Sequence, residues 1–156
     1  DVFVNLDAHL DLREDYAGNE LSHATVTRHA LDTADRAVVL GARTGSDAEW
    51  ERAAEADVTV VAPEDVADWT PDFDADDAVY LSVDIDGADP GFAPGTGTME
   101  PFGLTPREMR DVVRHVAPQT TGFDVVEVND RDDGQAASLG AKLLRTFVYA
   151  HAAGSL

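Results

Sequence analysis

Cysteine is missing from this 156-residue chain, which excludes a disulfide framework and any thiolate metal site. Lysine occurs once, at Lys142, and 11 basic residues stand against 31 acidic ones, a formal net charge of −20. Charge of that sign and size repels nucleic acid and anionic membranes and attracts small cations. No apolar run approaches the ~20 residues that a bilayer span requires. Asp1-Val2-Phe3-Val4 has no basic segment and no initiator methionine, and it enters a strand at once. The expectation is a cytoplasmic protein without nucleic-acid or membrane partners, its first residues already inside a fold and an N-terminal part absent.

The length suits a single domain over residues 1–156. Its carboxylates are spread through every segment rather than gathered in a tail. They read as a hydrated surface adapted to high salt, where screening removes self-repulsion, so a halophilic source is expected. Apolar runs alternate with helical patterns, which predicts βαβ units and a parallel sheet. Strands are expected near 2–7, 37–42, 58–62, 78–84 and 122–128. Ser46 and Glu49 form a capping box opening a helix to about residue 56. Thr105, Pro106 and Glu108 open another, to about Val116. A last helix, from about Gly134 to His151, carries Leu139, Leu143, Leu144, Phe147 and Val148 on one face. Trp69 to Asp77 reads as a loop. The expected strand order is fifth, fourth, first, second, third, reversing between the first and fourth strands.

Two acidic clusters follow apolar runs, and so fall at carboxyl ends of strands, where open α/β sheets keep their sites. One is Asp7-Ala8-His9-Leu10-Asp11; the other is Asp84-Ile85-Asp86-Gly87-Ala88-Asp89-Pro90. Ligand types recur at every second residue, and persisting strand geometry would point them one way. Carboxylates with an imidazole suit Mn²⁺ better than zinc, and carboxylates can bridge two ions. An EF-hand is excluded, because the twelfth position from Asp84 is Gly95 rather than an acid. Asp72, Asp74 and Asp76 show the same spacing inside a polar loop and read as solvated surface. His29, His115 and His151 lie on helix surfaces and carry no signal.

At these residues the chain resembles the ureohydrolases, the arginase and agmatinase family of binuclear manganese enzymes. Asp7 to Asp11 is similar to the family's first carboxylate–histidine motif. Asp84 to Pro90, continuing through Ala93-Pro94-Gly95-Thr96-Gly97-Thr98, resembles its most specific signature. Ser22-His23-Ala24-Thr25 follows the agmatinase form, most similar to the archaeal type, of a motif that supplies an acid/base histidine. Val126-Glu127-Val128-Asn129 resembles the strand that supplies a glutamate for the guanidinium group. Met99 and Phe102 depart from the signature, and Asp130 stands where proline is usual.

The resemblance implies a three-layer arginase-like α/β fold, of which this chain holds the last five strands of an eight-stranded parallel sheet. It implies two Mn²⁺ ions bridged by Asp7 and Asp84, with Asp11 on the first ion and His9 and Asp86 on the second. The family's glycine-glycine-aspartate-histidine motif, which completes the first ion, is absent from these residues. Unequal binding, tighter on the His9 side, is therefore expected. The implied reaction is hydrolysis of a guanidino compound to urea and an amine, with His23 moving protons and Glu127 holding the cation. Glu127 is otherwise an acid in an apolar strand that must pair with an arginine, and Thr98 either contacts substrate or caps a turn. Agmatine, giving putrescine for polyamine biosynthesis, is the first choice of substrate. Arginine, guanidinobutyrate, formiminoglutamate and guanidino-polyamines remain open, and Arg13 would favour a substrate bearing a carboxylate. A homo-oligomer, trimer or hexamer, is implied as well. The rival from another class is a metal-binding domain or fragment without turnover.

Overall fold

A computed structural model describes residues 1–154. Five strands form one parallel sheet: β1 (Val2–Leu6), β2 (Arg36–Leu40), β3 (Val58–Val61), β4 (Val79–Asp84) and β5 (Thr120–Val126). Their order is β3-β2-β1-β4-β5, as expected from sequence. Four α-helices accompany them: α1 (Val26–Ala30), α2 (Asp47–Ala53), α3 (Pro106–Val116) and α4 (Gln135–Gly154). All five residues of β1 are buried, as a central parallel strand covered on both faces requires. Val2, Val4 and Leu6 pack beneath Met109, Val112 and Val113 of α3 and Leu143 of α4. On the opposite face Val39 joins Leu10, Leu12 and Ala53. Helices on both faces of a sheet make three layers.

Local chemistry sets the helix starts. Ser46 Oγ accepts the Glu49 amide at 3.4 Å while the Glu49 carboxylate accepts the Ser46 amide at 2.8 Å. Thr105 and Glu108 repeat this reciprocal pair at 3.3 and 2.7 Å, with Pro106 at the first helical position, where its missing N–H costs nothing. The inward face of α4 is narrower than expected. Leu143 is buried and Leu139 and Phe147 pack on the core, but Leu144 and Val148 are 50% and 56% exposed. Each lies ~100° around the helix from its inward neighbour.

Two further expectations need correction. β5 stops at Val126 because Glu127 turns into the left-handed region, φ 59°. His151 is half-buried rather than on the surface, with its ring stacked 5.4 Å from Phe147 and Nδ1 2.9 Å from the Ala117 carbonyl. The Trp69–Asp77 segment has no regular structure, and Asp72, Asp74 and Asp76 are exposed.

Candidate metal centre and its cavity

Strand register brings the two acidic clusters together. β1 and β4 pair with Leu6 beside Val83, so Asp7, just past β1, and Asp84, the last residue of β4, sit side by side, one strand spacing (~4.8 Å) apart. Asp84 then caps a 3-10 turn, Ile85–Gly87, by accepting the Asp86 amide at 2.9 Å. That turn swings Asp86 back over β1. One Asp86 oxygen accepts the Ala8 amide at 3.2 Å and the other lies 3.1 Å from His9 Nδ1. Gly87 allows the approach, since a Cβ there would sit 3.2 Å from the Asp7 amide nitrogen.

Asp7 accepts the His9 amide at 2.7 Å and the Asn5 side-chain amide at 2.9 Å, and its carboxylate lies 3.4 Å from His9 Nδ1. Ligand atoms of Asp7, His9 and Asp86 thus all lie within 4.8 Å of one another. Asp11 arrives by a different route from the one its spacing suggested. Strand geometry does not persist past Leu6, and Asp11 adopts φ 53°, a turn that delivers it to the wall of the cavity that Asp84 also lines. Asp and Asn tolerate this conformation better than most residues.

Four carboxylates here are all but removed from water: Asp7, Asp11, Asp84 and Asp86 are 2%, 8%, 7% and 4% exposed. Burial, reinforced by the neighbouring Asp7 charge, pushes Asp11 up to about 9 and Asp84 up to about 10. Burial raises Asp7 to about 6 against the opposing bond from His9. His9, hydrogen-bonded to Asp7 and then Asp86, rises to about 11. Crowded carboxylates that, among the described residues, meet one imidazolium as their cationic side-chain contact, two of them holding protons in place of a cation, fit a site for cations. So does His9 Nε2, which is buried without a hydrogen-bond partner and lies 3.9 Å from Glu100. Oxygen donors with one imidazole suit a divalent ion such as Mn²⁺.

A cavity of about 210 Å³ opens over this centre, and His9, Asp11, His23, Asp84, Asp86, Thr98 and Glu127 all line it. His23 begins a 3-10 turn, His23–Thr25, pinned at both ends: the Ser22 hydroxyl accepts the Ala24 amide at 3.3 Å, and Thr25 Oγ1 accepts the Ser22 amide at 3.0 Å. The imidazole is exposed, with the Tyr16 ring edge-on at 4.9 Å. Glu127 is exposed, not buried in a strand as expected, because the left-handed turn lifts it to the cavity mouth. No arginine pairs with it among the described residues. Gly97 lies directly beneath, where a Cβ would be 3.3 Å from the Glu127 carboxylate. Thr98 is on the cavity wall.

Several cavity residues escaped the sequence reading. Glu49 registers in sequence only as a helix cap, yet its carboxylate also accepts the Leu12 amide at 3.3 Å and Arg13 Nε at 3.1 Å. Arg13 in turn lies over Tyr16, 5.5 Å from the ring centre. Glu100 also lines the cavity, and its only sequence signal was proximity to the second motif. Asp89, within that motif, accepts the amides of Gly91, Phe102 and Gly103 and so shapes the loop rather than the cavity.

Comparison with known proteins agrees with this geometry. The Arginase family model matches residues 2–149. The chain is 37% identical over 135 residues to an agmatinase of Bacillus cereus, covering 81% of this chain and 46% of that protein. It is 35% identical over 153 residues to the N(1)-aminopropylagmatine ureohydrolase of Thermococcus kodakarensis, covering 91% and 51%. The crystal structure of agmatine ureohydrolase of Thermoplasma volcanium superposes with a TM-score of 0.87 at 36% identity, covering 96% of this chain and 54% of that one. A parallel sheet with acidic strand ends, matched along nearly all its length, places the chain in the arginase family. It spans about half the length of the curated relatives it matches.

Proposed function

We propose that the protein is a manganese-dependent ureohydrolase that cleaves a guanidino compound, with agmatine the first candidate, to urea and an amine. The observation that carries this is one cavity holding a buried carboxylate–imidazole cluster on its floor and an unpaired acid, Glu127, at its mouth. Asp7 and Asp84 would hold both ions, Asp11 the first, and His9 and Asp86 the second. When bound, such ions supply water activated for attack at neutral pH. Glu127 offers its carboxylate to the guanidinium, where paired N–H donors match a carboxylate geometrically. Thr98, on the same wall, offers a hydroxyl. His23, exposed and held by its pinned turn, accepts or returns the proton of the departing amine. The excess of acid over base in the cavity favours a dication such as agmatine over a zwitterion. Arg13 does not reverse this, because Glu49 already neutralises it.

Urea release from a panel of guanidino compounds by the full-length protein with Mn²⁺ tests the reading. Agmatine, or an N-substituted agmatine, is expected to be turned over fastest. Turnover confined to arginine or guanidinobutyrate would overturn the choice of substrate. A second reading, a metal-binding domain without turnover, draws on one observation. Among the described residues only Asp7, His9 and Asp86 converge as a ligand group, and Asp11 and Asp84 face the cavity without an imidazole of their own. Metal binding without urea release from any compound would favour it. Family resemblance also supports a homo-oligomer in the cytoplasm, which light scattering and cell fractionation address. Among the described residues no helix is long and apolar enough to cross a membrane.

A further inference from the structure

Among the described residues Arg43 is the one arginine or lysine whose side chain reaches in behind the acidic centre, and it is not a wall residue of the cavity. It follows β2 and the left-handed Gly41 (φ 93°), and its amide donates to the Ala8 carbonyl at 2.9 Å, inside the first motif. Its guanidinium spends every hydrogen on backbone carbonyls. Nε donates to Pro101 at 3.1 Å, Nη1 to Gly41 at 2.9 Å and Gly87 at 3.3 Å, and Nη2 to Asp86 at 3.0 Å, Ala88 at 3.3 Å and Glu100 at 2.8 Å. Five N–H groups serve six acceptors, so one hydrogen is shared. Among the described residues no carboxylate takes the charge directly.

We propose that Arg43 is a positioning residue for the metal centre, a clamp that fixes the Asp86–Ala88 turn and the Glu100–Pro101 segment against the first motif. The proposal rests on the metal-centre reading above. Two separate chain segments carry the side chains it would position: Asp86, 3.1 Å from His9 Nδ1, and Glu100, the carboxylate facing His9 Nε2. Neither segment is a strand: the Asp86–Ala88 turn has one isolated bridge, Ala88 to Leu104, in place of a sheet ladder. The fork also adds a fixed positive charge behind buried anions. The packing around it is tight: at Gly103 a Cβ would lie 2.4 Å from Arg43 Nη2 and 2.6 Å from the Asp89 amide nitrogen, so a side chain there would disturb both the guanidinium and the turn it holds. Lysine keeps the charge but presents its three hydrogens from a single atom and cannot span six carbonyls.

The test uses full-length protein and Arg43→Lys. Mn²⁺ affinity by titration calorimetry is expected to fall at least ~10-fold, the usual range for losing an outer partner of a ligand. In chelator-treated R43K, amides of Ala88, Asp89, Gly103 and Leu104 should exchange hydrogen faster while those of β1 and β2 do not change. Unchanged affinity and unchanged exchange in folded R43K would overturn the proposal. So would a lowered Tm with neither local effect, which is what a merely structural arginine gives. Should R43K fail to fold, the wild-type protein still decides by NMR. Arg43 Nη hydrogens are expected to be resolved and slow to exchange, and a freely rotating guanidinium would refute the clamp. Wild-type protein that binds no Mn²⁺ would sink the metal-centre reading instead, leaving the exchange data to judge Arg43 alone.

Discussion

Chelator-treated protein should lose stability as pH rises from 7 to 9. Buried Asp11 and Asp84 are raised to about 9 and about 10, and His9 to about 11. In the unfolded chain the same groups titrate near 3.9 and 6.5. Across this window the folded state retains protons that the unfolded state has released. Stability then has a negative slope with pH, about 1.4 kcal/mol per unit for each retained proton. The histidine obeys the same sign, since its contribution is complete below 6.5 and fades toward 11. Even one retained proton gives a loss of about 3 kcal/mol between pH 7 and 9, or roughly 6–12 °C in Tm for a domain of this size. Surface repulsion at a net charge of −20 slopes the same way, so the scans should be run in molar KCl, where the Debye length shrinks to ~3 Å. Mn²⁺ should flatten the curve by replacing those protons, with proton release visible as a buffer-dependent binding enthalpy. A flat or rising Tm in chelator and high salt would refute this account of the centre.

Three further outcomes follow from particular contacts. Glu49→Ala removes a 4% exposed carboxylate that accepts Ser46, Leu12 and Arg13 donors, and calorimetric unfolding should show a loss of about 2–3 kcal/mol. Phe102, 88% exposed at φ 67°, occupies a backbone shape suited to glycine. Phe102→Gly should therefore raise stability by about 0.5 kcal/mol in denaturant titration, after the entropy glycine adds to the unfolded chain. Thermal scans of the unmodified protein should show Tm still climbing as KCl passes about 0.15 M, because 31 acidic residues repel one another. A plateau below that concentration would remove the high-salt argument.

The parallel sheet was legible because its strands are short β-branched runs, such as Val58–Val61, between capped helices. The strand order expected from sequence, reversing between the first and fourth strands, is the one that brings the two acidic strand ends together. Backbone departures from regular geometry were not legible. Asp11 and Glu127 reach the cavity through left-handed turns, and nothing in the residue pattern marks a positive φ at an acidic side chain. Period-two spacing therefore suggested a continuing strand at Asp11, and an apolar neighbourhood suggested burial at Glu127. Glu49 was hidden for another reason: its capping role fully accounts for its place in the sequence, so its bonds to Leu12 and Arg13 leave no trace there. Arg43 and Glu100 meet across 57 residues, a juxtaposition that only the fold creates.

The most direct test of the proposed metal-dependent hydrolysis is the rate of Mn²⁺-dependent urea release from agmatine by full-length protein carrying Asp84→Asn, beside Asp76→Asn. Asp84 is buried at the strand end next to Asp7, whereas Asp76 is exposed in a loop. The account predicts a loss of at least ~100-fold for Asp84→Asn and wild-type turnover for Asp76→Asn. Asp84→Asn protein that keeps more than about a tenth of wild-type activity would contradict it.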